Sequence, residues 1–320
     1  MAPIPDKNSI KKILVVRTDR IGDVILTLPL IYQIKKILPH ANVSILVSQN
    51  VAELLYDYEI IDEVIILENI KNLKMFFKRI CYDLVINAFP VFDISRAEYL
   101  SKVPLRIGTA YRWYSFLYNI KIHEHRKECL LHEYQYNVNL LKKLYPEAGY
   151  DFKYSFKINE TEESLLNEKL QKYLFNINDE YIIIHPSSGG SSIDVSEDVL
   201  VDFINKFQKN NNIKIAITGK ISEKNFNSKI ENKNNIIDLS GELNLRELLI
   251  LINNSKLFIA NSTGPIHIAG ALNKKIIGFY PEQKPMNETR WGPLNESKII
   301  LRPDVASDQI LNSANNLLAK

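Results

Sequence analysis

Short, almost unbroken apolar runs recur along this chain and alternate with amphipathic stretches. The runs KILVV (12–16), VSILVS (43–48), DEVIIL (62–67) and DLVINA (83–88) lack strict polar alternation. That is the pattern of strands buried on both faces of a parallel sheet. Helical spacing fills the intervals near 23–38, 50–57, 70–80 and 93–101. Pro29 falls inside the first of these and predicts a kink or a late start. A further helix is predicted at 132–145. The stretch PEAGYDFKYSFKINETEESLLNEKLQK (146–172) carries few strong signals and reads as a crossing between domains.

The pattern then restarts. YIIIH (181–185), IKIAIT (213–218), NIIDL (235–239), KLFIA (256–260) and KKIIGFY (274–280) read as strands. Helices are predicted near 195–209, 222–231, 244–253 and 264–272. Strand-helix alternation of this kind predicts an α/β fold with two Rossmann-like domains and parallel sheets. The boundaries read 1–155 and 179–303, with a last helix over 304–320 expected to pack back on the first domain. Ligands of such sheets sit beyond the carboxyl ends of the strands, so the expected site is a central cleft that both sheets face.

Three strand ends carry candidate chemistry. After the first strand comes RTDRIGD (17–23). Asp23 is placed either to cap a helix or to take a proton from a hydroxyl, with Asp19 as its local competitor. Arg17 and Arg20 have the fork geometry that holds acidic groups. After the first strand of the second half comes HPSSGGSS (185–192), whose hydroxyls and glycines suit phosphate oxygens or a plain turn. It is neither a Walker A loop nor GxGxxG. The third stretch, NSTGPIHIAGAL (261–272), opens a helix with Ser262 and Thr263 as capping residues and Gly264-Pro265 in the first turn. The amide groups and positive dipole end of such a helix attract an anion that His267 could also reach, although a capped structural helix reads the same way.

Charge adds one feature. The chain of 320 residues has a net charge of +3. Residues 71–128 hold 11 Lys and Arg against 5 Asp and Glu, or +6. That bias predicts an acidic partner such as a phosphorylated lipid or sugar phosphate, or else a merely solvated basic face. The N-terminal MAPIPDKNSIKK has no apolar signal core, and no run reaches the roughly 18 residues a membrane span needs. Cys81 and Cys129 form no CxxC pair and read as reduced thiols of a cytoplasmic protein. With no Asp-x-Asp at a strand end and no cluster at ligand spacing, no metal and no cofactor are expected.

The ordered set ILVVRTDRIGDVILTLP, RIGTAYR (106–112), HEYQYNVNLL (132–141), IIIHPSSGG, LSGELNLRELLILINNSKLFIANSTGPIHIAGAL (239–272) and RWGPL (290–294) resembles glycosyltransferase family 9, the heptosyltransferases. The resemblance covers nearly the whole chain and implies the GT-B architecture. It implies an inverting transferase that moves a sugar, heptose from ADP-heptose above all, to a hydroxyl of a lipopolysaccharide inner-core acceptor. Asp23 matches the general base. Ser187, Ser188 and neighbouring Gly189, together with Ser262, Thr263, Gly264 and His267, match the diphosphate site. Glu223 matches the acid that holds the ribose, and Leu243 the position against the nucleobase. Arg17, Arg20, Arg106 and Arg112 are then expected to bind the acidic acceptor. The first domain would rest peripherally on the cytoplasmic face of the inner membrane, with no nucleic-acid partner. The chain departs from the family in two places. Ser192 or Ile193 stands where a lysine is usual, with Val195 at the following tryptophan, and Ser262 stands in place of an aspartate. Another nucleotide sugar, or a non-catalytic sugar-nucleotide-binding role in envelope assembly, remain the alternative readings.

Overall fold

A computed structural model describes residues 6–220, 226, 229–231 and 233–319. The chain divides into two compact units, Met1–Lys157 and Ile158–Lys320.

The first unit contains β1 (Lys12–Val16), α1 (Ile21–Ile25), α2 (Leu28–Ile37), β2 (Asn42–Val47), α3 (Gln49–Ala52), β3 (Glu63–Ile66), α4 (Leu73–Ile80), β4 (Leu84–Asn87), α5 (Phe92–Leu100), β5 (Leu105–Thr109), β6 (Ile120–Ile122) and α6 (Glu133–Lys142). Its six strands are all parallel in the order β3-β2-β1-β4-β5-β6. Ile13, Leu14, Val15 and Val16 are fully buried, as a central strand covered on both faces requires. Each such side chain contributes about 1.5–3 kcal/mol by leaving water. Asp83 fixes the starting edge, because its Oδ2 accepts the amides of Lys11 and Lys12 at 2.8 and 2.9 Å. Pro29 lies in the first turn of α2, where its missing N–H costs nothing, so it marks a late start and the predicted single helix is two.

The second unit contains α7 (Glu160–Leu170), β7 (Tyr181–His185), α8 (Glu197–Asn210), β8 (Lys214–Ile217), β9 (Ile236–Asp238), α9 (Leu245–Asn254), β10 (Leu257–Asn261), α10 (Gly264–Ala271), β11 (Ile276–Phe279), α11 (Glu288–Trp291), β12 (Lys298–Leu301) and α12 (Ser307–Leu318). Its parallel sheet runs β12-β11-β10-β7-β8-β9. Both sheets begin in the middle, grow to one edge and then cross to the other. The chain therefore changes direction between β1 and β4 in one unit and between β7 and β10 in the other. Loops diverge at such a point and leave a crevice at the carboxyl ends of the strands.

Two expectations give way here. α12 does not return to the first unit. Ile310, Ala314 and Leu317 bury its apolar face in the second unit's own core with Phe203 and Phe207 of α8. Lys206 of α8 fastens its start, with Nζ 2.7 Å from Asp308 Oδ1 and 2.9 Å from Ser307 Oγ. The stretch read as a crossing holds α7. Asn159 and Glu162 form a capping box at its start, and Glu162 pairs with Arg246 of α9 at 2.8 and 2.9 Å. The predicted helix at 222–231 falls largely outside the described residues.

Candidate functional site

At the carboxyl end of β1, Arg17 turns into the crevice between β1 and β4 and is 2% exposed. Its Nη1 donates to Ala88 O, just beyond β4, at 3.1 Å. Its Nη2 bonds Asp23 Oδ1, and its Nε lies 2.8 Å from Asp19 Oδ1. From α6, Glu133 Oε1 and Asn137 Oδ1 stand 3.4 Å from Nη1. Burial alone would lower the Arg17 pKa, but Asp23, Asp19 and Glu133 outweigh it and hold the guanidinium firmly charged. Arg126 adds a second cation, with Nη1 bonded to Glu133 Oε1 and 3.1 Å from Asn137 Oδ1.

Asp23 stands in the first turn of α1, where the N-cap is Arg20. Its carboxylate is therefore not the cap. It faces Arg17 and keeps 15% of its side chain exposed. Arg17 fixes Oδ1, so the carboxylate is oriented yet reachable. Asp19 is similarly accessible at 17%, and burial pushes its pKa up to about 6 against the attraction of Arg17. Two carboxylates thus share one guanidinium at the end of one strand, and one of them is made a weaker acid by its surroundings.

In the second unit, three loops meet beyond β10, β7 and β8, which are adjacent in the sheet. The turn Ser188–Ser191 has Gly189 and Gly190 at φ +62° and +82°, a conformation that excludes most side chains. Ser188 N–H donates to Asp194 Oδ2 at 3.0 Å, and Ser191 Oγ donates to Ser262 O at 3.0 Å. Fully buried Asn261 joins the loops. Its Nδ2 donates to Pro186 O at 2.6 Å, and its Oδ1 accepts Val195 N–H at 2.9 Å. Thr263 is the N-cap of α10, but its hydroxyl makes no capping bond to the helix. The helix start, with Gly264 at its head, therefore lies beside a rigid glycine-serine loop, an arrangement suited to an anion with several oxygens. His185 lies beneath, Nδ1 2.9 Å from Thr218 Oγ1, and burial lowers its pKa to about 4, so it is neutral. Among the described residues, no three His, Cys, Asp or Glu side chains are grouped to hold a metal ion.

Residues 72–316 match the model of glycosyltransferase family 9 (heptosyltransferase). The chain belongs to that family. A Haemophilus influenzae protein named provisionally as a glycosyltransferase is 27% identical over 335 residues, covering 97% of this chain and 95% of the relative. A family 9 glycosyl transferase from Veillonella parvula superposes with a TM-score of 0.84 at 20% identity, covering 97% of each chain. The ADP-heptose LPS heptosyltransferase II of E. coli gives 0.81 at 17% identity over 96% and 98% of the two chains. E. coli heptosyltransferase WaaC with ADP gives 0.70 at 16% over 96% and 99%. The two α/β units are those of a GT-B glycosyltransferase.

Within this family 9 transferase the predicted residues fall into three groups. Ser187, Ser188, Gly189, Ser262, Thr263, Gly264 and His267 come together in or beside the paired loops of the second unit, with His267 buried in α10. Leu243 is half-buried on the turn between β9 and α9, and Glu223 lies outside the described residues. Arg20 and Arg112 are exposed at carboxyl strand ends of the first unit. The other two arginines do not fit acceptor binding. Arg17 is buried and committed to carboxylates. Arg106 is level with Val85 and Leu14 in the sheet register, three residues and roughly 10 Å short of the end where Arg17 stands. Its Nε donates to Leu117 O at 2.8 Å, and its Nη1 bonds Val103 O. The sequence reading missed Glu133, Arg126 and Asn261. The histidine cap and Gln135 of HEYQYN mark the start of α6, but nothing local says that Glu133 turns inward to meet Arg17.

Proposed function

We propose that this glycosyltransferase transfers heptose from ADP-heptose to a hydroxyl of a lipopolysaccharide inner-core acceptor, with inversion. The observation that carries the reading is Asp23, an oriented and reachable carboxylate at the strand end where the first sheet reverses. Asp23 accepts the proton of the acceptor hydroxyl as its oxygen attacks the anomeric carbon. The bond from that carbon to the diphosphate breaks, and the nucleoside diphosphate leaves with the electron pair. The transition state has oxocarbenium character. The glycine-serine loop and the start of α10 receive the departing charge. Similarity to the two E. coli proteins, one described as an ADP-heptose enzyme and one as a complex with ADP, supports the choice of donor.

The acceptor is an acidic glycolipid, and the enzyme meets it peripherally at the cytoplasmic face of the inner membrane. Among the described residues no helix is long and apolar enough to cross a membrane. The basic window and the exposed Trp113 and Phe116 support contact with such a surface. The test is turnover with ADP-heptose, other nucleotide sugars and purified inner-core acceptor. ADP-heptose is expected to be used, and Asp23→Asn is expected to lower turnover about 10²-fold or more while ADP still binds. Turnover only with another nucleotide sugar would replace the donor, and an active Asp23→Asn enzyme would move the base to Asp19.

A further inference from the structure

The glycine-serine loop raises a problem of charge. A diphosphate leaving group gains negative charge as the anomeric bond breaks, and neutral donors alone stabilise it less well than a cation does. Residues 186–196 contain no lysine and no arginine, and neither do residues 261–267. The one charged side chain of the first segment, Asp194, is negative, and its Oδ2 accepts the Ser188 amide.

The cation comes from a third segment. Lys220 lies just past the end of β8, the strand next to β7. A Cβ on Gly189 would stand 3.3 Å from Lys220 Nζ and 3.8 Å from its Cε. The ammonium thus lies over the left-handed apex of the loop, at the place where only glycine leaves room for it. Lys220 is exposed, so its charge is not spent in the core.

We infer that Lys220 is the diphosphate-neutralising residue of this chain, reaching the donor site from the β8 loop rather than from the glycine-serine loop itself. This rests on the reading that the loop takes a nucleoside diphosphate. Lys220 contacts the diphosphate oxygens in both the bound donor and the product. It makes the site selective for diphosphates over monophosphates, since its charge meets the second phosphate as well as the loop amides. The absence of a basic residue between Ser187 and Ser196 is then a relocation of the charge, and the reaction keeps its electrostatic support.

Calorimetry on the full chain with ADP, AMP and inorganic pyrophosphate tests this. Lys220→Met should weaken ADP and pyrophosphate about tenfold or more and AMP much less, as loss of a charge-assisted contact implies. Lys220→Arg should recover most of the loss, because it keeps the charge. The ADP affinity of the wild type should fall more steeply with salt than that of Lys220→Met. Circular dichroism of both variants should match the wild type, since the side chain is exposed. Equal ADP affinity in wild type and Lys220→Met would overturn the assignment of the lysine alone. If the wild type binds none of ADP, UDP, GDP and pyrophosphate, the nucleotide-sugar reading falls and the lysine assignment falls with it.

Discussion

Arg17 Nη1 and Glu133 Oε1 stand 3.4 Å apart although 116 residues separate them in the chain. Through this pairing α6 reaches the strand end that carries Asp23. Asn137, one turn further along α6, donates to Leu26 O at 2.9 Å and to Thr27 Oγ1 at 3.2 Å. The same helix therefore grips both the guanidinium that orients Asp23 and the turn between α1 and α2. Glu133 is 1% exposed, so its charge persists only because Arg17 and Arg126 flank it. Glu133→Ala should cost about 3–5 kcal/mol by leaving buried cations short of a partner. Glu133→Gln keeps the shape and should cost less, but it lets Arg17 bind Asp23 more tightly. A base held more tightly by a cation is a weaker base, so the acid limb of the rate profile should move to lower pH and the plateau should fall. Urea denaturation and a kcat profile against pH check the two effects. A Glu133→Gln enzyme with the wild-type profile would make Glu133 purely structural.

Asn261 plays the corresponding part in the second unit. Its two bonds tie Pro186 and Val195, on either side of the glycine-serine loop, to the end of β10. Replacement by leucine leaves a buried carbonyl and a buried amide without partners, at about 1–3 kcal/mol each. Asn261→Leu should therefore lower the melting temperature and weaken ADP as the loop loosens, whereas Asn261→Asp keeps the acceptor and should lose less. Differential scanning calorimetry with and without ADP separates stability from binding. Retention of full ADP affinity in Asn261→Leu would show that the loop is positioned without it.

The strands were legible because burial on both faces leaves a continuous apolar run, as in Ile13–Val16 and Tyr181–Ile184. β5, β6 and β12 were not. LRIGT interrupts its run with Arg106, whose guanidinium finds carbonyls, while IKI and KIIL lie on sheet edges where one long apolar run is not required. α7 announced itself through Asn159 and Glu162, but the weak amphipathic pattern of ETEESLLNEKL hid it. The paired loops of the donor site were legible because glycine, serine and a helix start are local signals. The Arg17 cluster was not, because three of its members come from residues 126–137 and meet β1 only after folding. Lys220 belongs to the same class, since only the adjacency of β7 and β8 brings it to Gly189.

Glu98 of α5 gives a pH signature independent of catalysis. It is fully buried, and burial pushes its pKa up to about 8 against the opposing effects of Asn87 Nδ2, which donates to Oε2 at 3.1 Å, and of Arg106. The folded value lies above the unfolded one, so the folded state binds the proton more tightly. The stability this group contributes is complete below the ordinary carboxylate range and is lost as pH rises toward 8, at roughly 1.4 kcal/mol per pH unit. Glu98→Gln mimics the neutral form and cannot ionise. Its stability relative to wild type should rise with pH between about 5 and 8 and level off above. Chemical denaturation at a series of pH values checks this, and a constant difference would mean that Glu98 ionises normally.

The last prediction separates two arginines that the sequence placed together. Arg106 is half-buried and holds the carbonyls of Leu117 and Val103 near the middle of the sheet. Arg106→Gln should lower stability by about 1–3 kcal/mol through those unpaired carbonyls and leave the acceptor KM unchanged. Arg112 is exposed in the loop after β5, beside Trp113 at 73% and Phe116 at 64% exposure. Trp113 is itself ordered against Phe92, with ring centroids 4.8 Å apart. A cation beside amphipathic rings on a rigid loop suits a surface that is anionic outside and apolar beneath, and each such basic residue contributes about 1 kcal/mol there. Arg112→Gln with Trp113→Ala should raise the acceptor KM, leave the donor KM unchanged and reduce sedimentation with anionic liposomes at low salt. High salt should release the wild type to a similar degree. If the double variant sediments like wild type and salt has no effect, this loop is an ordinary solvated surface and the acceptor is held elsewhere.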